Sequence, residues 1–241
     1  MINYKLIHLS EIDSTNEFIL SLKNSNFFKE GLVVSADFQQ KGRGYLSNNW
    51  ESEVKKNLLV SILLEPKLKL IRQFKINQLI SMSILDLLKS YSIEAKIKWP
   101  NDILVKKSKV AGILIQNIVV SNSITYSIAG IGININQNNF QSYSPKADSL
   151  SSIVGKKLNI NKVRDDLLYF VQNRIKDLRR GVSFDNQYKK NLYMINQKCC
   201  FKEGDTEFDG VIVGVSSVGE LCVKIQNDFK YFKYKQIKYL F

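Results

Sequence analysis

Four apolar segments follow one another between residues 95 and 135, separated only by short polar stretches. Each is rich in the aliphatic residues that favour strands, and the stretch Lys-Lys-Ser at 106–108 is typical of a tight turn. Consecutive strands joined by short turns pair in antiparallel fashion. Residues 95–99, 103–105, 110–120 and 124–135 therefore predict a sheet with substantial antiparallel character.

Two earlier apolar segments, 32–36 and 58–64, predict further buried strands. Apolar residues then recur at near-helical spacing from Ile71 to Leu88, which predicts a long core helix ending at Tyr91.

Other helices are indicated by their start signals. Ser14 stands three residues ahead of Glu17, the spacing of a capping box, and predicts a helix near the beginning of the chain. Asn161 is predicted to cap a helix that runs to about Arg180, and residues 184–194 form a weaker helical pattern.

From residue 198 the pattern changes to short strands separated by turn signals such as Asp209-Gly210. A β domain this small cannot bury much apolar surface, so we expect it to dock on the rest of the chain. The predicted fold is α+β, with a mixed β-sheet flanked by helices over residues 1–194 and a small β domain over residues 195–241.

Composition restricts the protein class. Of 241 residues, 44% are hydrophobic and 24% charged, as in an ordinary globular protein with one large core. No apolar run reaches the roughly 18 residues that span a bilayer, and the first residues lack the apolar segment of a secretory signal. We therefore expect a cytoplasmic protein with no membrane partner.

The net charge of +13 suggests an anionic partner. Lysine and arginine are scattered along the chain, which favours attraction to ATP or to an acidic protein over a nucleic-acid site. Cys199, Cys200 and Cys222 have neither metal-ligand spacing nor an even count, so we interpret them as buried thiols. The single histidine, His8, excludes a histidine-rich metal site and disfavours a catalytic triad.

Three motifs have the composition of a binding site for anions. In the loop 39–44, Gly42 and Gly44 flank Arg43, so the backbone can approach an anion while a cation closes over it. In the sequence KWPND at 98–102, the proline ends a strand and leaves polar side chains at its end. Lys109 precedes an apolar strand and could hold a carboxylate and a phosphate together. Simple turns and a solvated lysine explain each motif when it is taken alone.

Gly130 and Gly132 alternate with isoleucine, which places both glycines on one face of a strand. A ligand could lie against the bare backbone there, although a bulge or a close strand crossing would need the same pattern.

In this order and spacing, the motifs resemble those of the biotin protein ligases. The resemblance covers essentially the whole chain: DSTN at 13–16, the loop 39–44 with Trp50, KWPND at 98–102, KVAG at 109–112, the strand 130–134 and the C-terminal β domain. It implies a sheet like that of class II aminoacyl-tRNA synthetases, with an SH3-like barrel at the C-terminus. It also implies that biotin attacks the α-phosphate of Mg-ATP to give biotinyl-5′-AMP, from which biotin passes to a lysine of a biotin carboxyl carrier domain.

The resemblance further implies a role for individual residues. Lys109 would bridge the biotin carboxylate and the α-phosphate, and Arg43 would lie near both groups; these two would be catalytic. Biotin would contact Ser14, Thr15, Asn16, Gln39, Gly42, Arg43, Lys109, Gly112 and Gly130. ATP and the adenylate would contact Arg43, Gly44, Tyr45, Trp50, Lys98, Asn101, Lys109 and Asn134, with Trp50 covering the adenine. The expected small molecules are ATP, Mg²⁺ and biotin, without assigned metal ligands, and family members include monomers and homodimers.

Two departures from the family pattern have consequences. Many members carry a second arginine after Gly44, where this chain has Tyr45, which has no positive charge at neutral pH. We therefore expect the adenylate to be retained more weakly than in those members. The expectation is wrong if Tyr45→Arg leaves the dissociation rate of biotinyl-5′-AMP unchanged. Some members begin with a DNA-binding domain, but the first ligand motif here starts at Asp13, so we expect no specific DNA binding.

Two other interpretations remain open. A lipoate ligase, or a lipoyl or octanoyl transferase, would share the fold and the Lys-x-x-Gly at 109–112, but its arginine-rich triple-glycine loop and nucleophilic cysteine do not occur here. A non-catalytic nucleic-acid-binding protein could use the aromatic and lysine residues at 229–235. A last strand with one aromatic face and one lysine face explains that segment more simply.

Overall fold

The architecture comes from a computed structural model that describes residues 2–44, 49–142 and 144–240. Its first and larger sheet has eight strands, and the pairing order is β1-β2-β3-β8-β7-β6-β5, with β4 beside β8. The strands are β1 (Lys5–Leu9), β2 (Leu32–Ala36), β3 (Leu58–Leu64), β4 (Leu68–Lys69), β5 (Lys96–Lys98), β6 (Asp102–Val105), β7 (Ser108–Val120) and β8 (Ser123–Ile133). Among the described strands of this sheet, only β1 and β2 pair in parallel, so the predicted antiparallel character is confirmed.

The sheet is covered on both faces. The helices are α1 (Thr15–Ser21), α2 (Phe74–Ser90), α3 (Leu150–Val154), α4 (Ile160–Arg179) and α5 (Asp185–Lys190). Helices α2 and α4 pack together over one face and bury the main core there, including Val60 and Ile62 of β3. On the opposite face, Ile19 of α1 packs with Leu63 and Ile128 in a smaller cluster. This confirms the predicted mixed sheet flanked by helices.

Some local predictions were wrong. Strand β1 was missed, because its residues are mostly exposed and lack a regular apolar pattern. The cap of α4 is Asn159, whose side chain accepts from the backbone amide of Lys162 at 3.1 Å, so the predicted cap Asn161 already lies in the helix. Ser14 does occupy the position before α1, but its side chain makes no capping hydrogen bond.

Helix α5 begins at Asp185, which ties it to the start of α2. The carboxylate of Asp185 accepts hydrogen bonds from Lys75, Gln78 and Ser183. Burial alone would raise the pKa of Asp185, but these donors, with Lys75 foremost, hold it at about 2.

The second sheet has five antiparallel strands in the order β12-β11-β10-β9-β13. They are β9 (Lys198–Glu203), β10 (Thr206–Val215), β11 (Leu221–Ile225), β12 (Asp228–Phe232) and β13 (Lys238–Leu240). The predicted C-terminal β region is therefore present as an antiparallel sheet; its closure into an SH3-like barrel and the boundary at residue 195 stay predictions.

Strand β12 differs from the expected pattern of one aromatic face and one lysine face. Phe229 and Tyr231 are 60% and 55% exposed, whereas Phe232 is buried. Lys230 is exposed as well, so both residue types meet solvent on this edge strand.

The second sheet docks on the segment that follows β5. The indole Nε1 of Trp99 donates to the carbonyl oxygen of Gly219 at 2.8 Å. The same indole lies edge-on to Tyr234, with ring centroids 6.0 Å apart. KWPND at 98–102 therefore lies at the contact between the two sheets. None of the described helices is long and apolar enough to cross a membrane.

Candidate active site

A cavity of about 680 Å³ lies on the α1 face of the large sheet. Its lining comes from the start of α1, the loop that follows β2, the strands β3, β7 and β8, KWPND and the end of the chain. Most of the predicted site residues line it: Ser14, Thr15, Asn16, Gln39, Arg43, Gly44, Trp50, Lys98, Asn101, Lys109, Gly112 and Gly130. The structure thus brings together residues that are almost 120 positions apart in the sequence.

Two of the described site residues, Gly42 and Asn134, do not belong to this lining. Gly42 is buried beside it, where its carbonyl oxygen accepts from the Trp50 amide at 2.9 Å and closes the loop. Asn134 lies beneath the cavity, and its amide donates to the carbonyl oxygens of Lys109 and Asp148 at 3.3 and 3.1 Å. It therefore braces the backbone that carries Lys109. Tyr45 lies outside the described residues.

One end of the cavity has a polar wall at the N-terminus of α1. The Thr15 amide and hydroxyl both donate to Gln39 Oε1, at 2.8 and 2.9 Å. The neighbouring Asn16 is only 3% exposed, and its amide donates to Gln116 Oε1 at 2.7 Å. Because these side chains are held by one another, their polar atoms have fixed positions at the cavity wall.

Bare backbone forms the floor beside this wall. A Cβ atom at Gly130 would lie 2.4 Å from Asn16 Oδ1, and one at Gly132 would lie 2.4 Å from Trp50 Cε2. At Gly112 it would lie 2.8 Å from Trp50 Cζ3. The glycines therefore make room for two side chains: the Asn16 amide and the Trp50 ring. The predicted placement of Gly130 and Gly132 on one face of a strand is confirmed.

The Trp50 ring lies between the polar wall and the charged end of the cavity. Its Nε1 is buried, and we find no partner for it among the described residues. A buried indole N–H usually has a hydrogen-bond partner, and none of the described residues supplies one here. Lys109 Nζ lies 5.3 Å from the centre of the ring, within cation–π distance.

The charged end is organised by Asp102. Its Oδ1 lies 2.7 Å from Lys109 Nζ and its Oδ2 lies 3.3 Å from Lys98 Nζ, so one carboxylate bridges both lysines. The Asp102 side chain is only 14% exposed. Lys98 also lies over the Tyr239 ring, with Nζ 5.4 Å from its centre. The lysine ammonium groups are thus placed side by side at a half-buried position, where their charge is poorly screened.

Asp102 received no role in the sequence interpretation, although it belongs to KWPND. Strand register places it between the two lysines. Asp102 is the strand partner of Lys98 in the β5–β6 hairpin and of Gly112 on the neighbouring β7. Opposite charges four positions apart around a turn could have indicated the contact with Lys98. The contact with Lys109 depends on the register of a third strand.

The cavity is completed by residues after β12, which the sequence interpretation also missed. They are Tyr234, Lys235, Ile237, Lys238, Tyr239 and Leu240. Burial raises the pKa of Tyr239 well above its ordinary value, so its hydroxyl stays neutral and can donate a hydrogen bond. The C-terminal segment therefore adds Lys235, Lys238 and a neutral phenol to the cavity lining.

Arg43 lies at the rim rather than at the charged end. Its guanidinium Nη1 donates to Glu17 Oε1 at 3.0 Å, and both side chains are substantially exposed. An exposed pair of this kind contributes about 0–1 kcal/mol, so Arg43 can leave Glu17 at little cost.

Metal ligands are scarce in this region. Among the residues that the structure describes, no three histidine, cysteine, aspartate or glutamate side chains converge on one point. Of the described residues that line the cavity, Asp102 is the one with a carboxylate.

Comparisons with known proteins agree with this geometry. The model of the biotin/lipoate A/B protein ligase family matches residues 9–134. The bifunctional ligase/repressor BirA of Bacillus subtilis is 32% identical over 176 residues, which cover 71% of this chain and 54% of that protein. BirA of Escherichia coli K12 is 24% identical over 226 residues, with 90% and 68% covered. The chain thus spans about half to two thirds of the length of these relatives.

A solved structure resembles the whole chain. It is the biotin protein ligase from Aquifex aeolicus in complex with biotin and ATP, with a TM-score of 0.81, 26% sequence identity and 98% of both chains covered. Since the family model spans more than half of the sequence and the fold agrees from end to end, the chain belongs to the biotin/lipoate A/B protein ligase family.

Proposed function

We propose that the protein is an ATP-dependent biotin–protein ligase. It would activate biotin as biotinyl-5′-AMP and transfer it to a lysine of a biotin carboxyl carrier domain. One observation carries this proposal: a single cavity joins a rigid polar wall to a pair of lysines bridged by Asp102. A bicyclic urea with a carboxylate tail needs hydrogen-bonding groups at one end and cations at the other.

The biotin ring would lie at the polar wall, beside the Asn16 amide that covers Gly130 and the Trp50 ring that covers Gly112. Thr15, Asn16 and Gln39 supply polar atoms that are already held in place, which reduces the ordering cost of binding. Ser14, which lines the same wall without capping α1, keeps its hydroxyl available for the ring.

Activation brings the biotin carboxylate against the α-phosphate of ATP. A carboxylate oxygen attacks the α-phosphorus, the bond to the β-phosphate oxygen breaks, and pyrophosphate leaves. Two anions must approach each other, so the barrier depends on cations that are fixed beforehand near the developing charge. Lys109 and Lys98 meet this requirement, because Asp102 holds both ammonium groups at the charged end.

Mg²⁺ fits this site in a limited way. Mg²⁺ is commonly held by one or two carboxylates together with substrate phosphates and water, and Asp102 offers one carboxylate. The ion would neutralise charge on the phosphates of ATP. Asp102, which bridges the two lysines, would be the residue that holds the ion.

The nucleotide would lie between the charged end and the Trp50 ring, with its adenine covered by the indole. Asn101, whose amide donates to the carbonyl oxygen of Ile113 at 2.8 Å, would hold the turn that carries the lysines. Arg43 would leave Glu17 and close over the phosphates from the rim. The role of Tyr45 in retaining the adenylate stays a prediction.

In the second step the amine of the carrier lysine attacks the acyl carbon of the anhydride, and AMP leaves. The carrier domain, a monomeric or homodimeric state and the absence of specific DNA binding are parts of the proposal. A cytoplasmic location is supported by the three cysteines, which are free thiols.

The family also contains lipoate ligases, so the decisive experiment compares the two acids. Thermal stability is measured with biotin plus ATP and with lipoate plus ATP. A ligand at about 100 times its dissociation constant stabilises the folded state by about 2.7 kcal/mol, and we expect this only with biotin. Stabilisation by lipoate and not by biotin would refute the proposal.

Nucleic-acid binding is the outcome to test in parallel, because Phe229 and Tyr231 are exposed on β12. Steeply salt-dependent binding to single strands, without any biotin-dependent exchange of pyrophosphate into ATP, would favour a binding protein over a ligase.

A further inference from the structure

Asn16 lies flat across three strands of the large sheet. Ser61 of β3 pairs with Gly130 of β8, and Gly130 pairs with Leu114 of β7, so these three positions form one line across the sheet. The Asn16 amide lies above the middle position, in the space that the missing side chain of Gly130 leaves.

The Asn16 amide is held from both sides. The Ser61 hydroxyl donates to Asn16 Oδ1 at 2.6 Å, from β3. Asn16 Nδ2 donates to Gln116 Oε1 at 2.7 Å and, more weakly, to the Leu114 carbonyl oxygen at 3.5 Å, both on β7. The backbone carbonyl can only accept, which fixes Nδ2 towards β7 and Oδ1 towards Ser61.

Ser61 itself does not line the cavity and is fully buried in the middle of the sheet. A hydroxyl on an otherwise aliphatic strand costs free energy unless it is hydrogen-bonded. Its oxygen lies 2.7 Å from Thr15 Oγ1 as well, so it contacts two neighbouring side chains of the polar wall.

We propose that Ser61 and Gln116 are positioning residues that clamp Asn16 over Gly130 and so determine which acid the cavity accepts. This inference rests on the proposed function. Without the clamp, Asn16 could rotate within the space above Gly130, and each bound ligand would have to order it again.

The hydrogen count of the clamp indicates the chemistry of the preferred ligand. Three oxygen–oxygen contacts occur here: Ser61 with Asn16, Ser61 with Thr15, and Thr15 with Gln39. The hydroxyls of Ser61 and Thr15 supply only two hydrogens for these three contacts. The wall is therefore rich in acceptors. A ring that brings N–H donors, such as the cyclic urea of biotin, suits it better than the dithiolane ring of lipoate, which brings none.

The test uses a matched pair of variants, Ser61→Thr and Ser61→Val, which have the same shape but differ in the hydroxyl. Initial rates of pyrophosphate exchange are measured against biotin and, separately, against ATP. We expect Ser61→Val to raise the KM for biotin about tenfold relative to Ser61→Thr, with kcat and the KM for ATP within about twofold. Gln116→Met should act in the same direction.

Ser127→Ala is the control, because Ser127 is an equally buried serine of β8 whose hydroxyl donates to Asn117 at 2.7 Å, outside the cavity lining. It should leave the KM for biotin unchanged. The inference is refuted if Ser61→Val and Ser61→Thr have the same KM for biotin, or if the KM values for biotin and ATP rise together.

A second measurement needs no variant. The unaltered protein is tested with biotin analogues in which ring oxygen replaces one ureido N–H or the other, and we expect at least one of them to lose about tenfold or more in kcat/KM. If both analogues are as active as biotin itself, the inference is overturned while the proposed ligase function stays intact. Failure of biotin itself would instead refute the proposed function.

Discussion

Alanine at Gly130 and alanine at Gly132 should impair different substrates, although the two glycines are on the same face of β8. A Cβ atom at Gly130 meets Asn16 Oδ1 at 2.4 Å, whereas one at Gly132 meets Trp50 Cε2 at the same distance. Neither contact can be kept, so one side chain moves in each variant. What differs is how firmly that side chain is held.

Moving Asn16 breaks its hydrogen bonds to Ser61 and Gln116 in a buried place. At about 1–1.5 kcal/mol for each bond the loss is roughly 2–3 kcal/mol, and replacing glycine within a strand returns about 0.5–1 kcal/mol. The net destabilisation of about 2 kcal/mol lowers Tm by about 4–8 °C in a chain of this size. Moving Trp50 breaks no hydrogen bond of its indole among the described residues, so Gly132→Ala should change stability by less than about 1 kcal/mol.

The assay combines thermal unfolding with pyrophosphate exchange, each substrate being titrated separately. Gly130→Ala should raise the KM for biotin about tenfold or more with a smaller effect on ATP, and Gly132→Ala should chiefly raise the KM for ATP. The reasoning fails if Gly130→Ala unfolds within about 1 °C of the unaltered protein, or if both variants affect the same substrate.

Three further predictions concern single side chains. Lys109→Gln should slow pyrophosphate exchange at least about 100-fold with little loss of stability, whereas the turn variant Lys107→Gln should match the unaltered protein; equal rates for the two variants would exclude the proposed role. Because the pKa of Asp185 is lowered to about 2, its stabilising effect is complete above about pH 4 and is lost as the pH falls towards 2. Asp185→Asn should therefore remove about 1 kcal/mol of acid-dependent stability, a value discounted for the half-exposed side chain, and unchanged acid unfolding would contradict this. Burial raises the pKa of Cys199 to about 11, so alkylation at pH 8 should label the partly exposed Cys200 before Cys199 when followed by peptide mass spectrometry; the reverse order would be inconsistent with the structure.

Local patterns in the sequence predicted much of the large sheet. The alternation of Gly130 and Gly132 with isoleucine indicated a strand with one bare face, since side chains on a strand alternate strictly between faces. Apolar residues at helical spacing from Ile71 to Leu88 indicated the core helix α2, because residues with that spacing lie on one face of a helix. Strand β1 lacks such a pattern, because it is short, mostly exposed and at the edge of the sheet.

The candidate site was predicted less completely, because part of it depends on contacts between distant residues. Asp102 acquires its position between two lysines only when β6 pairs with both β5 and β7. Tyr239 reaches the cavity only because the second sheet docks on KWPND. In the sequence, Ser61 is one polar residue in an apolar strand. Its contacts with Thr15 and Asn16 form only when α1 packs against β3. Apart from the contact between Lys98 and Asp102, no spacing within a single segment could have revealed these neighbours.

The hydrogen bond from Trp99 to Gly219 has a thermodynamic consequence for the C-terminal sheet. The turn that carries Lys98 and Asp102 is also the turn on which this sheet rests. A ligand that binds more tightly when the C-terminal sheet is docked also stabilises the docked sheet. The two effects have the same free energy, because the coupling is reciprocal. Filling the cavity should therefore slow amide hydrogen exchange in β9 to β13, including in strands that touch no ligand.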